Sequence, residues 1–192
     1  MWMIVLPDPS EDDTLLAAAR QGSPAALTEI YDFYFQPIYS FIRLRVDDAP
    51  LAEDLTSEVF IRLVEAVRGR GGPRSSLRGW LFKVARNLVH DHYRGRHALS
   101  EQELGEWMAS PNPDPEAHAI YAASIDQVRR ALLGLNPDHQ EVLILRFTQN
   151  LSLQETAEIM GRRTNAIKQL QFRATQALQR ALAPALTETD HG

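Results

Sequence analysis

The chain has 192 residues, 44% of them hydrophobic, and no cysteine. That length suits one domain or two small ones, the apolar content excludes a disordered chain, and the missing thiols exclude disulfides, thiolate zinc sites and cysteine nucleophiles together. The formal net charge of -5 speaks against a uniformly basic surface, but phosphate binding depends on local patches and not on the chain average.

The period is helical almost throughout. The opening "MWMIVLPDPSEDD" has no basic n-region and is too short to span a bilayer, so residues 1–12 read as a tail and the chain as soluble and cytoplasmic. "DDTLLAAARQG" starts on acids and stops at Gly22. Ser23 and Pro24 fit the N-cap and first helical position of the next helix, which Pro37 restarts through Arg45. After the turn "DDAP", Leu51, Leu55, Val59, Leu63 and Val67 recur every fourth residue along one helix face. The run Asp47 to Glu58 carries five acids and no base. "GRGGPRSS" is a loop, and a helix follows from about Leu77 to Arg94. Arg68 to Leu99 carries eight Lys/Arg against one acid, Asp91.

Composition then shifts. "SEQELGEWMASPNPDPEAH" is acidic and proline-rich, so residues 98–116 read as a linker in which Trp107 and Met108 could dock on a neighbouring surface. A helix from about Ala117 to Leu133 is followed by "PDHQEVLILRF", capped by Asn136-Pro137, then by "SLQETAEIM" and "TNAIKQLQFRATQALQRAL". No strand pattern or repeat is present. The expected architecture is all-α: two small helical domains, 13–97 and 117–183, on a flexible acidic tether, with residues 184–192 as a tail.

The last helix pair carries a motif. Ser152 and Glu155 form a capping box. Ala157, Gly161 and Ile167 supply a small residue for close approach, a glycine for the tight turn and a β-branched residue to fill the angle, while Leu145, Leu153, Ile159 and Leu170 complete a core. The opposite face of the second helix presents Arg163, Thr164, Asn165, Lys168 and Gln169, with Arg173 beyond: the side-chain types that read base edges and phosphates. Phe172 either joins that face or packs on the preceding helix. Gly161 to Ala183 holds five Lys/Arg and no acid, which favours DNA over a merely structural hairpin.

"LAEDLTSEVFIRLVEAV", "GWLFKVARNLVHDHYRGR" and "LNPDHQEVLILRFTQNLSLQETAEIMG" together resemble the sigma-70 family, specifically the extracytoplasmic-function (ECF) group of RNA polymerase sigma factors, over roughly Thr14 to Leu182. The resemblance implies a region 2 helical bundle and a region 4 helix-turn-helix. Region 2.2 would meet the β′ clamp helices of core RNA polymerase through Asp54, Ser57 and Glu58, with Phe60 and Leu63 as apolar neighbours; the family usually has Gln at Ser57. Regions 2.3 and 2.4 would melt and hold the −10 element through Trp80, Lys83, Arg86, Asn87, Asp91, Tyr93 and Arg94. The loop carrying Arg70 and Arg74 would pocket a flipped base. Region 4 would read the −35 element. Partners so implied are core polymerase, promoter DNA and an anti-sigma factor, with membrane contact only through an anti-sigma factor that is itself membrane-bound.

No cofactor, metal or catalytic residue is expected. His90, His92 and His97 suggest a metal site only superficially, since H-x-H on a helix sends two rings to different faces. The family often has Ser or Thr before the recognition helix where this chain has Arg163, so Thr164 could cap instead and shift the helix start by one. A stand-alone helix-turn-helix regulator is the alternative; it predicts a dimer and has no use for Asp54 and Glu58.

Overall fold

Helix α1 (Pro9–Arg20) starts earlier than the acids alone suggest, and Asp12 within it is buried. The computed structural model describes residues 9–46, 48–69, 72–73, 76–97 and 127–187, and among these every regular element is helical. Arg70, Arg74, Trp107, Met108 and the first part of the helix expected from Ala117 lie outside the described residues.

Helix α2 (Pro24–Arg43) is capped as its sequence suggests, the Ser23 hydroxyl accepting from the Ala26 N–H with Pro24 in the first turn. Pro37 does not restart it: one helix runs through. Proline removes one backbone donor, but Tyr34, Pro37, Ile38 and Phe41 are all buried on one face, and that burial offsets the lost bond. Helix α3 (Ala49–Arg68) begins at Asp48, whose carboxylate accepts from the Leu51 N–H at 2.9 Å. Its stripe turns Val59, Leu63 and Val67 into the core and half-buries Leu51 and Leu55. Helix α4 (Leu77–His97) sits on α2 and α3, with Phe82 edge-on to Phe41.

Among the described residues the C-terminal unit opens with helix α5 (127–133), and the Gln140 amide donates to the carbonyl of Leu133 at its end and to that of Leu135 just beyond, at 3.0 and 2.8 Å. Helix α6 (Pro137–Leu143) is capped by Asn136 and widens into a π-helical turn, Ile144–Thr148. Asn150, the residue that leaves this turn, has φ 51, a conformation asparagine tolerates. Helix α7 (Leu153–Met160) carries the complete capping box of Ser152 and Glu155. Gly161 ends it at φ 64, in the left-handed region that favours glycine. Helix α8 (Thr164–Thr187) then crosses α7, burying Ile167, Leu170 and Ala174. It continues to Thr187, into the stretch read as a tail.

The two units touch. Helix α4 packs on α7, and α2 reaches the π turn.

Candidate nucleic-acid and protein interfaces

The second helix of the turn motif holds its expected residues on one open face. Arg163, Thr164, Asn165, Lys168, Gln169 and Arg173 are all exposed, opposite the buried seam of Ile167, Leu170 and Ala174. Phe172 is 65% exposed and so joins that face rather than packing on α7. The helix starts at Thr164, with the Arg163 carbonyl accepting from the Ile167 N–H. Thr164 is therefore the first helical residue and not the cap, and the start is not shifted. Arg146 donates to Gln171 at 3.1 Å and to the Leu151 carbonyl, and Arg162 pairs with Asp138 at 2.5 Å.

The candidate −10 set on α4 does not stay together. At 100° per residue, Trp80, Lys83, Asn87, Asp91 and Arg94 fall within one arc. Lys83, Asn87, Asp91 and Arg94 are exposed there, and Arg94 pairs with Asp91 at 2.5 Å. Trp80 is half-buried against the core. Arg86 and Tyr93 point elsewhere. Arg86 Nε donates to Glu141 Oε1 at 2.5 Å, and the Tyr93 hydroxyl donates to the Arg45 carbonyl at 2.5 Å.

Those bonds lead to a cluster that the sequence did not single out. Glu141, on α6, is 0% exposed. Its described side-chain partners all come from the N-terminal unit: Arg86, Arg45 at 3.7 Å and His90 at 3.6 Å. Burial alone would push its carboxyl up; His90 and the guanidiniums of Arg45 and Arg86 more than offset that, leaving it below the usual range. Arg45 is 3% exposed, and burial lowers its affinity for the proton despite Glu141. A second bridge lies nearby: Arg78 on α4 donates to Glu155 of the capping box at 3.1 Å and lies 3.9 Å from buried Asp12. Tyr34 donates to both Asp12 oxygens at 2.7 and 2.6 Å. Asp12 is pushed up by burial, which Tyr34 and Arg78 only partly counter. No signal short of the tertiary contact distinguishes Glu141 from an ordinary helix-surface glutamate.

The acidic face of α3 stands apart. In wheel order it reads Phe60, Ser57, Ile61, Asp54, Glu58. Asp54 and Ser57 are exposed, and Glu58 accepts from Arg62 at 2.8 Å with its side chain 40% exposed. Leu63 does not belong here: at 1% exposure it is core. Phe60 is nearly buried because Tyr31 and Phe35 of α2 cover it, the Tyr31 ring centroid 4.8 Å from its own. Tyr31 and Ile61 are 43% and 53% exposed, so the carboxylates border an apolar strip. The sequence signals for these two were the aromatic run "YDFYF" and an isoleucine standing off the leucine stripe.

Among the described residues no group of three His, Asp or Glu side chains could hold a metal ion. His90 lies against Glu141, while His92 stands edge-on to Tyr93. No described helix is long and apolar enough to cross a membrane.

Two family descriptions match: sigma-70 region 2 over residues 30–98 and sigma-70 region 4 over residues 131–180. The chain is 38% identical over 174 residues to the ECF RNA polymerase sigma factor BldN of Streptomyces coelicolor, covering 88% of this chain and 64% of that protein. It is 31% identical to the ECF RNA polymerase sigma factor SigX of Bacillus subtilis, covering 79% of this chain and 80% of the relative. In fold it resembles CnrH, solved in complex with the cytosolic domain of CnrY, at a TM-score of 0.68 and 20% identity, covering 90% of this chain and 97% of that one. It also resembles the Bartonella quintana sigma factor RpoE, solved with the anti-sigma factor NepR, at a TM-score of 0.64 and 20% identity, covering 81% and 96% of the two chains. The chain belongs to the sigma-70 family of RNA polymerase sigma factors, in its extracytoplasmic-function group.

Proposed function

We propose that this chain binds core RNA polymerase and directs it to promoters, reading the −35 element with α8 and holding the melted −10 element with α4. The observation that carries the reading is the separation of charge onto different exposed faces. The outer face of α8 is cationic and amide-rich, with the arginines and lysine that neutralise phosphate and the asparagine and glutamine that pair with adenine. The outer arc of α4 sets Lys83, Asn87 and Arg94 beside Trp80, a combination suited to single-stranded DNA. The α3 face offers Asp54 and Glu58 beside Tyr31 and Ile61, which suits a basic helical partner such as the β′ clamp helices.

Each contact is non-covalent and no catalytic residue is invoked; polymerisation belongs to the core enzyme. A stand-alone regulator would leave the α3 face without a purpose. A protein anti-sigma factor is a further partner in this reading, extended from the complex of RpoE with NepR.

The test is reconstitution. The full chain is mixed with core polymerase and a library of genomic fragments, and transcript 5′ ends are sequenced. The expected result is a set of starts sharing one motif near −35 and another near −10, dependent on the chain. No complex with core polymerase and no chain-dependent transcript would overturn the reading.

A further inference from the structure

We propose that the cleft between α1 and the outer face of α2 is the seat of the chain's own N-terminal segment, residues 1–8, which folds back along α1 and covers Phe33.

The first argument is the cleft. Ser10, Glu11, Thr14 and Leu15 of α1, with Glu29 and Phe33 of α2, line an open space of about 430 Å³. Phe33 is 41% exposed. The other rings of this stretch of α2 are engaged: Tyr31 and Phe35 pack on Phe60 of α3, and Tyr34 is buried on Asp12. Phe33 joins no ring contact among the described residues. A single exposed ring on a convex surface needs no partner. This one lies in a concave site beside half-buried Leu15, the shape that takes up an apolar ligand.

The second argument is where the described chain begins. Helix α1 starts at Pro9, and the next two residues, Ser10 and Glu11, already stand in the wall of the cleft. The segment upstream reads "MWMIVLPD". Leu6 and Asp8 each precede a proline, which disfavours helical backbone at both, so the sequence favours a turn off the axis of α1 over its prolongation. Reach is ample. Ser10 to Leu15 rises about 8 Å along the helix at about 1.5 Å per residue, and eight extended residues cover roughly 25 Å.

The third is chemistry. Met1 to Leu6 are consecutive apolar side chains without a charge. The carboxylates in the cleft wall, Glu11 and Glu29, would repel an acidic segment and leave an uncharged one free to bury itself on Phe33 and Leu15. Left in water, such a run is the kind of segment that pairs with other chains. Seated, it braces α1 on α2 beside the Asp12–Tyr34 bond.

The chain has three tryptophans and no cysteine, which suits two measurements on the full chain. Fluorotryptophan labelling gives one fluorine resonance per tryptophan, and Trp2→Phe identifies that of Trp2. In the folded parent the Trp2 resonance should stand away from its position in urea. Phe33→Ser should return it there. Thr14→Arg, which crowds the same cleft from an exposed position, decides in its stead should circular dichroism show that Phe33→Ser has lost helices. The second measurement is cross-linking by a short bis-maleimide. Asp13 and Glu29 are both exposed, and Asp13 is the nearer to the segment along the chain. A loose segment therefore favours Val5→Cys with Asp13→Cys. A seated one should join Val5→Cys to Glu29→Cys roughly tenfold faster than to Asp13→Cys, as the higher effective concentration requires.

A Trp2 resonance at its unfolded position in the parent, or one that the folded cleft variant leaves in place, would overturn the proposal, as would faster joining at Asp13→Cys. A response of Trp107 in place of Trp2 would give the cleft to residues 98–116 and overturn it equally. Cross-linked dimers from a mixture of Val5→Cys chains and Glu29→Cys chains would give the cleft to the segment of a second copy and overturn the folding back within one chain.

Discussion

Reversing charge on the α3 face separates a docking surface from a structural one. In Asp54→Lys, Glu58→Lys the folding cost can be bounded from the structure. Asp54 is exposed and makes no ion pair among the described residues. Glu58 has one ion-pair partner, Arg62, at 2.8 Å, with side chains 40% and 43% exposed. An exposed pair at this helical spacing is worth about 0.3–0.5 kcal/mol, and its replacement by like charges costs about as much again. The total stays near 1 kcal/mol, too little to unfold a domain. Binding should suffer far more. Two attractions to a basic partner become two repulsions, a change of at least about 3 kcal/mol, or more than about a hundredfold in Kd. The assay is an anisotropy titration of the labelled chain with core polymerase, beside urea denaturation of the same samples. Arg62→Ala is the internal control: it frees Glu58, and should bind as well as the parent or slightly better. A folded double variant whose Kd stays within about threefold of the parent would refute the assignment of this face.

Gly161→Ala should destabilise the chain by about 1 kcal/mol through backbone strain alone, because φ is 64 and an added Cβ would meet nothing within 4 Å; Gly161→Asn should cost less, read as a urea midpoint shift at constant slope. Tyr34→Phe removes a buried donor to both oxygens of Asp12 and should cost about 1.5–3 kcal/mol in the same assay, while an unchanged midpoint would show that Arg78 suffices. The carboxyl of Glu141 is held below its ordinary range in the folded chain, so its contribution to stability is fully present above the ordinary carboxylate pKa and is lost as pH falls through the lower value; the urea midpoint should hold at mildly acid pH and fall only below it. A midpoint that already falls nearer neutral pH would assign the loss to another group.

What could be read from the chain was whatever is decided within a few residues. The Ser152–Glu155 box, the Gly161 turn, the Ser23 and Asn136 caps and the leucine stripe of α3 are local hydrogen bonds or helical periods, and each appears where the sequence put it. Pro37 shows the limit from one side: a strong local breaker was overruled by the burial of an entire helix face. Leu63 shows it from another, since an apolar residue beside acids can serve a surface or a core, and only packing decides. Arg86 and Glu141 show it most clearly. They are 55 positions apart, and nothing in either neighbourhood marks them as a pair. Apart from the loop residues Arg70 and Arg74, the candidate −10 set was assembled from one helix, and the fold divides that helix between solvent and the other unit.

That division leaves the cationic faces of α4 and α8 open to solvent on a chain whose formal net charge is -5. Within the C-terminal unit the recognition helix is fixed by well-made bonds, Arg146 to Gln171 and Arg162 to Asp138, so its face is preformed. Between the units the bonds are as close: Arg86 meets Glu141 at 2.5 Å and Arg78 meets Glu155 at 3.1 Å, with Arg45 3.7 Å from the Glu141 carboxylate. A buried carboxylate paired in this way sits near balance between Coulomb gain and desolvation, yet removing one partner costs several kcal/mol because it strands a buried charge, roughly 3–5 kcal/mol for such pairs.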